Sequence, residues 1–192
     1  MKQAMHQELE PVAVSNVTVV EGRPVIAGTS VSVEQILEKL RDDWFVEDIM
    51  RACNLNDIEI LAAVEYAESL PPEHPLAQLL RQYRENLKRK VWAILAELKQ
   101  SFQVIYGERL VQMVLFGSQA RGDANPDSDI DVLVVLKEPI IWLTESERIS
   151  QVVADLSLRY SELINCSLID EDSFQHQNEP LLRNIRREGI AV

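Results

Sequence analysis

The sequence has few of the residues that build metal clusters or disulfide frameworks. Its 192 residues include 2 cysteines, Cys53 and Cys166, which lie far apart and show no Cys-x-x-Cys spacing. The 3 histidines are scattered and form no ligand pattern. This usage indicates two reduced thiols in a cytoplasmic protein rather than a disulfide or a zinc site.

Long apolar runs are also missing. No stretch approaches the roughly 18 apolar residues of a membrane-spanning helix, and the first residues lack the apolar core of a signal peptide. Hydrophobic residues nevertheless make up 46% of the chain. The sequence therefore predicts a soluble, cytoplasmic protein without a membrane partner, folded as one domain or two small ones.

Positive charge is scarce, above all in the first part of the chain. The formal net charge is −12. Residues 1–75 carry 5 Lys and Arg against 14 Asp and Glu, whereas residues 76–192 carry 14 against 17. Broad nonspecific binding of nucleic acid is disfavoured, because such binding depends on neutralisation of phosphates by Lys and Arg.

The first part of the chain predicts a small, mostly helical module. Two β-prone pieces flank a turn signal at residues 21–24. Ser32 begins a helix, with Gln35 placed for a capping box. Two more helices follow, one ending near Asn54 and the next starting at Asn56. We expect a helix-turn-helix-like domain over residues 1–72.

Residues 22–31 read Gly-Arg-Pro-Val-Ile-Ala-Gly-Thr-Ser-Val. They resemble a family of antitoxin-like domains of uncharacterised function with a Gly-x-Pro-x-Ile-x-Gly-Thr pattern. The resemblance implies a helix-turn-helix-like fold and an association with toxin–antitoxin genes. Binding of DNA is disfavoured, because the middle helix offers only Arg51 against Glu47 and Asp48. A protein-contact or dimerising module is the favoured interpretation, and a homo-oligomer stays open.

Prolines at residues 71, 72 and 75 mark a boundary, and a long amphipathic helix follows up to Gly107. We expect a second domain over residues 76–192. The polar face of the helix carries five cations, which either approach phosphates or an acidic partner or form an ordinary solvated face. They are Arg81, Arg84, Lys88, Arg89 and Lys90.

The most informative stretch runs from Leu115 to Val135. An apolar run ends at Phe116, and Gly117 then permits a tight turn. We expect Ser118 to cap a short helix, so that amide groups and a hydroxyl face an anion such as a phosphate. In the next strand Asp129 and Asp131 alternate with aliphatic residues and project from one face, about 6.6 Å apart. Two such carboxylates beside a phosphate-binding turn can hold Mg²⁺ against a nucleoside triphosphate.

The remaining pattern predicts the layers around this stretch. A helix over residues 144–160, a third strand over residues 163–169 and a terminal helix from Pro180 to Arg187 follow in order. Helices around a small mixed sheet make this an α/β or α+β domain. The alternative for the central stretch is an ordinary strand–helix turn followed by a solvated strand face.

The combination Gly-Ser-x-Ala-Arg-Gly followed by Ser-Asp-Ile-Asp resembles the minimal nucleotidyltransferase branch of the DNA polymerase beta nucleotidyltransferase superfamily. The resemblance covers roughly the last hundred residues. It implies ATP as nucleotide donor and Mg²⁺ ligated by Asp129 and Asp131, the catalytic pair. It further implies nucleotide-binding roles for Gly117, Ser118 and Arg121: close backbone approach, a hydroxyl donor, and a countercharge.

The family's third carboxylate is not found inside the later strand. Members of the family usually carry this carboxylate on the strand that here spans residues 164–169 and reads Ile-Asn-Cys-Ser-Leu-Ile. Either Asn165 or Ser167 takes the position of the carboxylate, and three acids follow the strand at residues 170–172. Neither an amide nor a hydroxyl deprotonates an acceptor near pH 7. Three arginines near the end, Arg183, Arg186 and Arg187, either grip a phosphate or a partner or oppose the dipole of their helix.

These features favour an Mg²⁺-dependent adenylyltransferase that modifies a partner protein. The minimal branch implies a HEPN-type toxin as that partner, silenced by transfer of AMP to a tyrosine, with this chain as the antitoxin. Two alternatives stay open. One is a non-catalytic antitoxin that acts by binding, and the other is a small-molecule transferase of the aminoglycoside type. Base preference, acceptor and oligomeric state are not determined by the sequence.

Overall fold

The computed structural model describes residues 16–137 and 140–192. The first fifteen residues of the expected N-terminal module thus lie outside the described part. The chain divides into two compact units, Met1–Asn86 and Leu87–Val192. Among the described residues, no helix combines the length and the apolar character needed to cross a membrane.

The first unit is a β-hairpin followed by three short helices. Its elements are β1 (Val17–Val20), β2 (Arg23–Ile26), α1 (Val33–Arg41), α2 (Val46–Cys53) and α3 (Asp57–Glu68). The predicted capping box of α1 is confirmed. The Gln35 amide donates to Ser32 Oγ at 3.2 Å, and Gln35 Oε1 accepts from the Ser32 amide at 2.9 Å. The predicted end of α2 is confirmed by the left-handed backbone of Asn54.

Helix α4 (Pro75–Tyr106) is the longest element. Its first part belongs to the first unit, where Arg84 pairs with Glu68 at 2.9 Å. Its later part belongs to the second unit, where Lys90 pairs with Glu162 at 2.9 Å. At least three of the five cations on its polar face, Arg81, Arg84 and Lys90, therefore have partners, which favours the interpretation of an ordinary helix face.

The second unit contains a four-stranded sheet. After a 3-10 turn at Gly107–Arg109 come β3 (Leu110–Phe116), α5 (Gly117–Arg121), β4 (Ile130–Leu136), α6 (Trp142–Tyr160), β5 (Ile164–Asp170), α7 (Glu171–His176), α8 (Pro180–Glu188) and β6 (Ile190–Ala191). The strand order is β5-β4-β3-β6. Strand β4 is parallel to β5 and antiparallel to β3, and β6 is antiparallel to β3. The predicted α+β fold with a small mixed sheet is confirmed.

The two faces of this sheet pack against different elements. Alternate side chains of β4, from Ile130 to Leu136, join α4 and α6 in a large core that includes Leu98 and Phe102. The other face carries a smaller cluster, in which Leu182 and Ile185 of α8 pack with Val114, Leu133 and Val135. We name these the core face and the α8 face.

The sequence did not predict two short elements of this unit, α7 and β6. Helix α7 has six residues and β6 has two, which is too short for a hydrophobic period to be visible. Strand β6 is defined only by its pairing with Val114 and Leu115 of β3. Such an element depends on a partner that is distant in sequence.

Candidate functional site

The two acids of the central motif lie at the start of β4. Asp131 is the second residue of the strand, and Asp129 immediately precedes it. In the sheet, Asp131 is paired with Phe116 on one side and with Asn165 on the other. The end of β3, the start of β4 and the start of β5 therefore meet at one edge of the sheet.

Asn165 links the two carboxylates. Its Nδ2 donates to Asp129 Oδ2 at 2.9 Å and to Asp131 Oδ1 at 3.4 Å. Both bonds need the amide nitrogen as donor, because carboxylate oxygens accept here. Asn165, and not Ser167, thus occupies the position beside the pair, because Ser167 is registered with Leu133 one pleat further along.

Gly117 packs directly against the Asp131 carboxylate. Its φ is +75°, in the left-handed region that favours glycine. A Cβ atom added at this position would collide with Oδ2 of Asp131. The residue type is thus required twice, once by the backbone angle and once by the close approach of the acid.

The expectation that Ser118 caps the following helix is wrong. Helix α5 begins at Gly117, its N-cap is Phe116, and no side chain caps it. Ser118 is the second helical residue, and its carbonyl accepts the amides of Gly122 and Asp123. The reason is that Phe116, with extended backbone, takes the N-cap position, so that the Ser118 side chain lies within the first turn and not at the position that caps.

Arg121, the last residue of α5, lies on the surface. Its Nε donates to Asp123 Oδ2 at 3.2 Å, and both side chains are largely exposed. A countercharge role for Arg121 therefore requires exchange of this exposed ion pair for a phosphate, at small cost because such pairs contribute little in water.

Two side chains to which the sequence assigned no role hold the loop before Asp129. Gln119 Nε2 donates to the Ser128 carbonyl at 3.4 Å. Ser128 Oγ accepts the amide of Asn125 at 2.8 Å, and the Ser128 amide donates to the Asn125 carbonyl at 3.0 Å. The serine of the Ser-Asp-Ile-Asp motif thus closes a turn that sets the position of Asp129. Its only sequence signal is a serine three residues after an asparagine.

The three acids that follow β5 lie away from the pair. Asp170 is registered with Leu136, five residues beyond Asp131 and so about 16 Å along the strand. It caps α7 by accepting the Ser173 amide at 2.8 Å, a hydrogen bond that holds the pKa of Asp170 below its usual value. Within residues 16–137 and 140–192, no group of three or more His, Cys, Asp and Glu side chains is arranged to hold a metal ion.

The donor set fits Mg²⁺ nonetheless. Two carboxylates converge on one amide NH₂ group, the kind of positively polarised group whose place a cation can take. Mg²⁺ is commonly bound through one or two carboxylates together with phosphates of the substrate. The residues that would hold the ion are Asp129 and Asp131.

The opposite face of β5 is chemically quiet. Cys166 follows Asn165 but packs against the core face. Burial raises the pKa of its thiol to about 12, so the reactive thiolate is scarce near neutral pH. This supports the interpretation of the cysteine as a reduced thiol without a chemical role.

The arginines near the end of α8 have structural partners. Arg186 donates to the carbonyls of Phe174 and Gln177, which ties α8 to α7 and to the residue that follows α7. Arg187 pairs with Glu188 and also donates to Asn184 Oδ1 at 3.3 Å. These contacts favour a stabilising role for both side chains.

Two family matches cover most of the chain. Residues 93–185 match the family described as nucleotidyltransferase domain, and this range includes every residue of the site described above. Residues 14–67 match a family described as a protein of unknown function, DUF433. The Gly-Ser and Asp-x-Asp motif and the N-terminal module thus match separate families.

Individual relatives agree with the first match. Two proteins of Methanocaldococcus jannaschii, each named "Putative protein adenylyltransferase", are similar to this chain. One is 39% identical over 72 residues, which are 38% of this chain and 72% of that protein. The other is 32% identical over 88 residues, which are 45% of this chain and 82% of that protein. A crystal structure titled as a putative nucleotidyltransferase from Sulfolobus solfataricus has a TM-score of 0.36 and 22% identity, and the likeness covers 56% of this chain and 80% of that one.

Proposed function

The chain belongs to the nucleotidyltransferase domain family, and we propose that it transfers AMP from ATP to a hydroxyl group of a protein. The observation that carries the proposal is the convergence of Asp129 and Asp131 on Asn165 beside the backbone of Gly117. A protein acceptor is supported by the names of the two archaeal relatives.

Asp129 and Asp131 hold the metal ion in this proposal. When bound there, Mg²⁺ would supply neutralisation of the charge on the triphosphate. Gly117, lacking a side chain, lets the triphosphate approach the backbone where α5 begins. Ser118 donates its hydroxyl to a phosphate oxygen, and Arg121 moves from Asp123 to the phosphates.

The transfer exchanges one phosphorus–oxygen bond for another. The acceptor oxygen bonds to the α-phosphorus, the bond from that phosphorus to the bridging oxygen breaks, and pyrophosphate departs with the electron pair. The hydroxyl proton is left to solvent, because the amide of Asn165 has no basic group near neutral pH. The protein therefore contributes mainly position and electrostatics, as in other phosphoryl-transfer sites.

The partner we propose is a HEPN-type toxin, which makes this chain an antitoxin. The support is the resemblance of the motif to the minimal nucleotidyltransferase branch, together with the antitoxin-like pattern at residues 22–31. A second candidate is an antitoxin that neutralises by binding alone. Asn165 favours it, because an amide stands beside the acid pair where the family usually has a carboxylate.

The test compares two labels in the same reaction. Full-length protein is incubated with Mg²⁺, the product of the neighbouring gene, and ATP labelled at either the α- or the γ-phosphate. We expect transfer of the α-label only. Asp129→Asn and Asp131→Asn should each reduce transfer at least about 10²-fold, the scale of losing one transition-state stabiliser.

Asp172→Asn is the matched control, since this exposed acid lies beyond the far end of β5 and should leave transfer unchanged. Transfer of the γ-label would contradict the proposal. Absence of transfer, with the Asp129 and Asp131 variants still neutralising the partner, would favour the binding antitoxin.

A further inference from the structure

Asn165 lies directly beside the two acids of the site. It is registered with Asp131 across the parallel β4–β5 pair, so its side chain emerges on the same face as the acid. It also reaches Asp129 at 2.9 Å. A carboxylate at this position would be a third ligand, whereas the amide brings no charge.

The charge of the ligand set matters for binding of the free ion. Affinity for a hard divalent cation rises with the number of charged oxygen ligands, and Mg²⁺ gives up its hydration water reluctantly. A site with two carboxylates and a neutral amide therefore binds the bare ion weakly. The triphosphate of a nucleotide supplies the missing negative oxygens.

The neighbouring acids have other contacts or positions. Asp123 is paired with Arg121, and Asp170 caps α7 at the far end of β5. The two bonds from Asn165 also have a second effect, since they hold two like charges together at one place. The amide keeps the acid pair assembled while contributing nothing to its charge.

We propose that Asn165 is a positioning residue that makes metal binding conditional on nucleotide. Its amide holds Asp129 and Asp131 in place. Because the amide adds no third negative charge, the site binds the cation tightly only together with the triphosphate. This inference rests on the proposed function only in taking a nucleoside triphosphate as the ligand, and it requires no particular acceptor.

The test measures binding of Mn²⁺ rather than activity. Full-length protein is titrated with Mn²⁺ by electron paramagnetic resonance, with and without the non-transferable analogue α,β-methylene-ATP. For the wild type we expect affinity for Mn²⁺ at least about tenfold tighter with the analogue than without it. For Asn165→Asp we expect affinity without the analogue at least about tenfold tighter than wild type.

Ser167→Asp is the matched control, because it adds the same charge to the same face one pleat away, beside Leu133. It should bind Mn²⁺ as the wild type does. Asn165→Ala removes both hydrogen bonds and should weaken binding of Mn²⁺ with the analogue by several fold, without creating binding in its absence.

Three results would overturn the inference. They are wild-type binding of bare Mn²⁺ as tight as that of Asn165→Asp, an equal gain in Ser167→Asp, and unchanged analogue-dependent binding in Asn165→Ala. A failure of the proposed function is seen separately, as absence of label transfer to the partner protein while these binding results hold.

Discussion

The two faces of the four-stranded sheet are covered to different extents. On the core face, α4 and α6 bury an unbroken set of aliphatic and aromatic side chains that includes Leu98, Phe102 and Val132. On the α8 face, a short helix covers Val114, Leu133 and Val135, while Asn165 on the same face stays exposed. The core face is covered by helices, whereas the α8 face is left open to a ligand where β4 and β5 begin.

The contrast is sharpest between consecutive residues of β5. Asn165 contacts both acids of the site, and Cys166 points into the core. Because successive side chains of a strand point to opposite faces of the sheet, one residue of β5 faces the site and the next faces the core. The same alternation separates Asp131 from Ile130 and Val132 in β4. Substitutions on the core face should change stability alone, and those on the α8 face near the acids should change transfer.

The largest expected effect concerns the thiol of Cys166. Because burial raises its pKa to about 12, the thiolate fraction at pH 8 should be about 10³-fold below that of an ordinary cysteine. Iodoacetamide should therefore modify Cys166 about 10³-fold more slowly in the native protein than in urea. Mass spectrometry of the cysteine peptides provides the measurement. Equal rates in native and unfolded protein would show that this face is not closed.

The next effect concerns the glycine that packs on the acids. Gly117→Ala should reduce transfer about 10²-fold, because a Cβ atom displaces the Asp131 carboxylate from its position. Gly122→Ala is the matched control, since Gly122 also has a positive φ, +81°, but has nothing within 4 Å of an added Cβ. Both variants should lose about 1 kcal/mol of unfolding free energy.

Of the two glycine variants, only Gly117→Ala should lose more transfer than its lower stability explains. Urea titration measures the unfolding free energy, and transfer is then compared per folded molecule. Equal losses of transfer in both variants would indicate that backbone strain, rather than contact with the acid, is responsible.

The smallest effect tests the core face. Ile94→Val in α4 removes one methylene from a fully buried side chain, so unfolding free energy should fall by about 0.5–1.5 kcal/mol. Ile141→Val makes the same change at a side chain that is 71% exposed, and it should shift stability by less than about 0.5 kcal/mol. Transfer per folded molecule should be unchanged in both. A loss of transfer in Ile94→Val would mean that the faces are not independent.

Much of this architecture follows from local signals in the sequence. The capping box at Ser32, the left-handed end of α2 at Asn54 and the alternation of aliphatic residues in β4 each depend on a few neighbouring residues. These features were predictable because their physical causes lie within one or two turns of chain.

The remaining features depend on contacts between distant residues. Asn165 was one of two alternatives until the parallel register placed it opposite Asp131. Helix α5 begins at Gly117, one residue before the expected cap at Ser118. Gly117 lies against the Asp131 carboxylate, fourteen positions along the chain, and this contact is not visible in the local sequence. Strand β6 is two residues long and is recognisable as a strand only from its pairing with β3. Register and close approach are properties of pairs, and a single segment does not encode them.

The two acids are anchored in different ways. The backbone of Asp131 is paired with a strand on each side, whereas the backbone of Asp129 precedes β4 and follows the turn that Ser128 closes. Moving the backbone of Asp131 would break hydrogen bonds of the sheet, whereas the turn before Asp129 can rotate by several degrees at little cost. In the proposed metal site, the distance between the two carboxylates would therefore adjust to the radius of an ion through Asp129 rather than through Asp131.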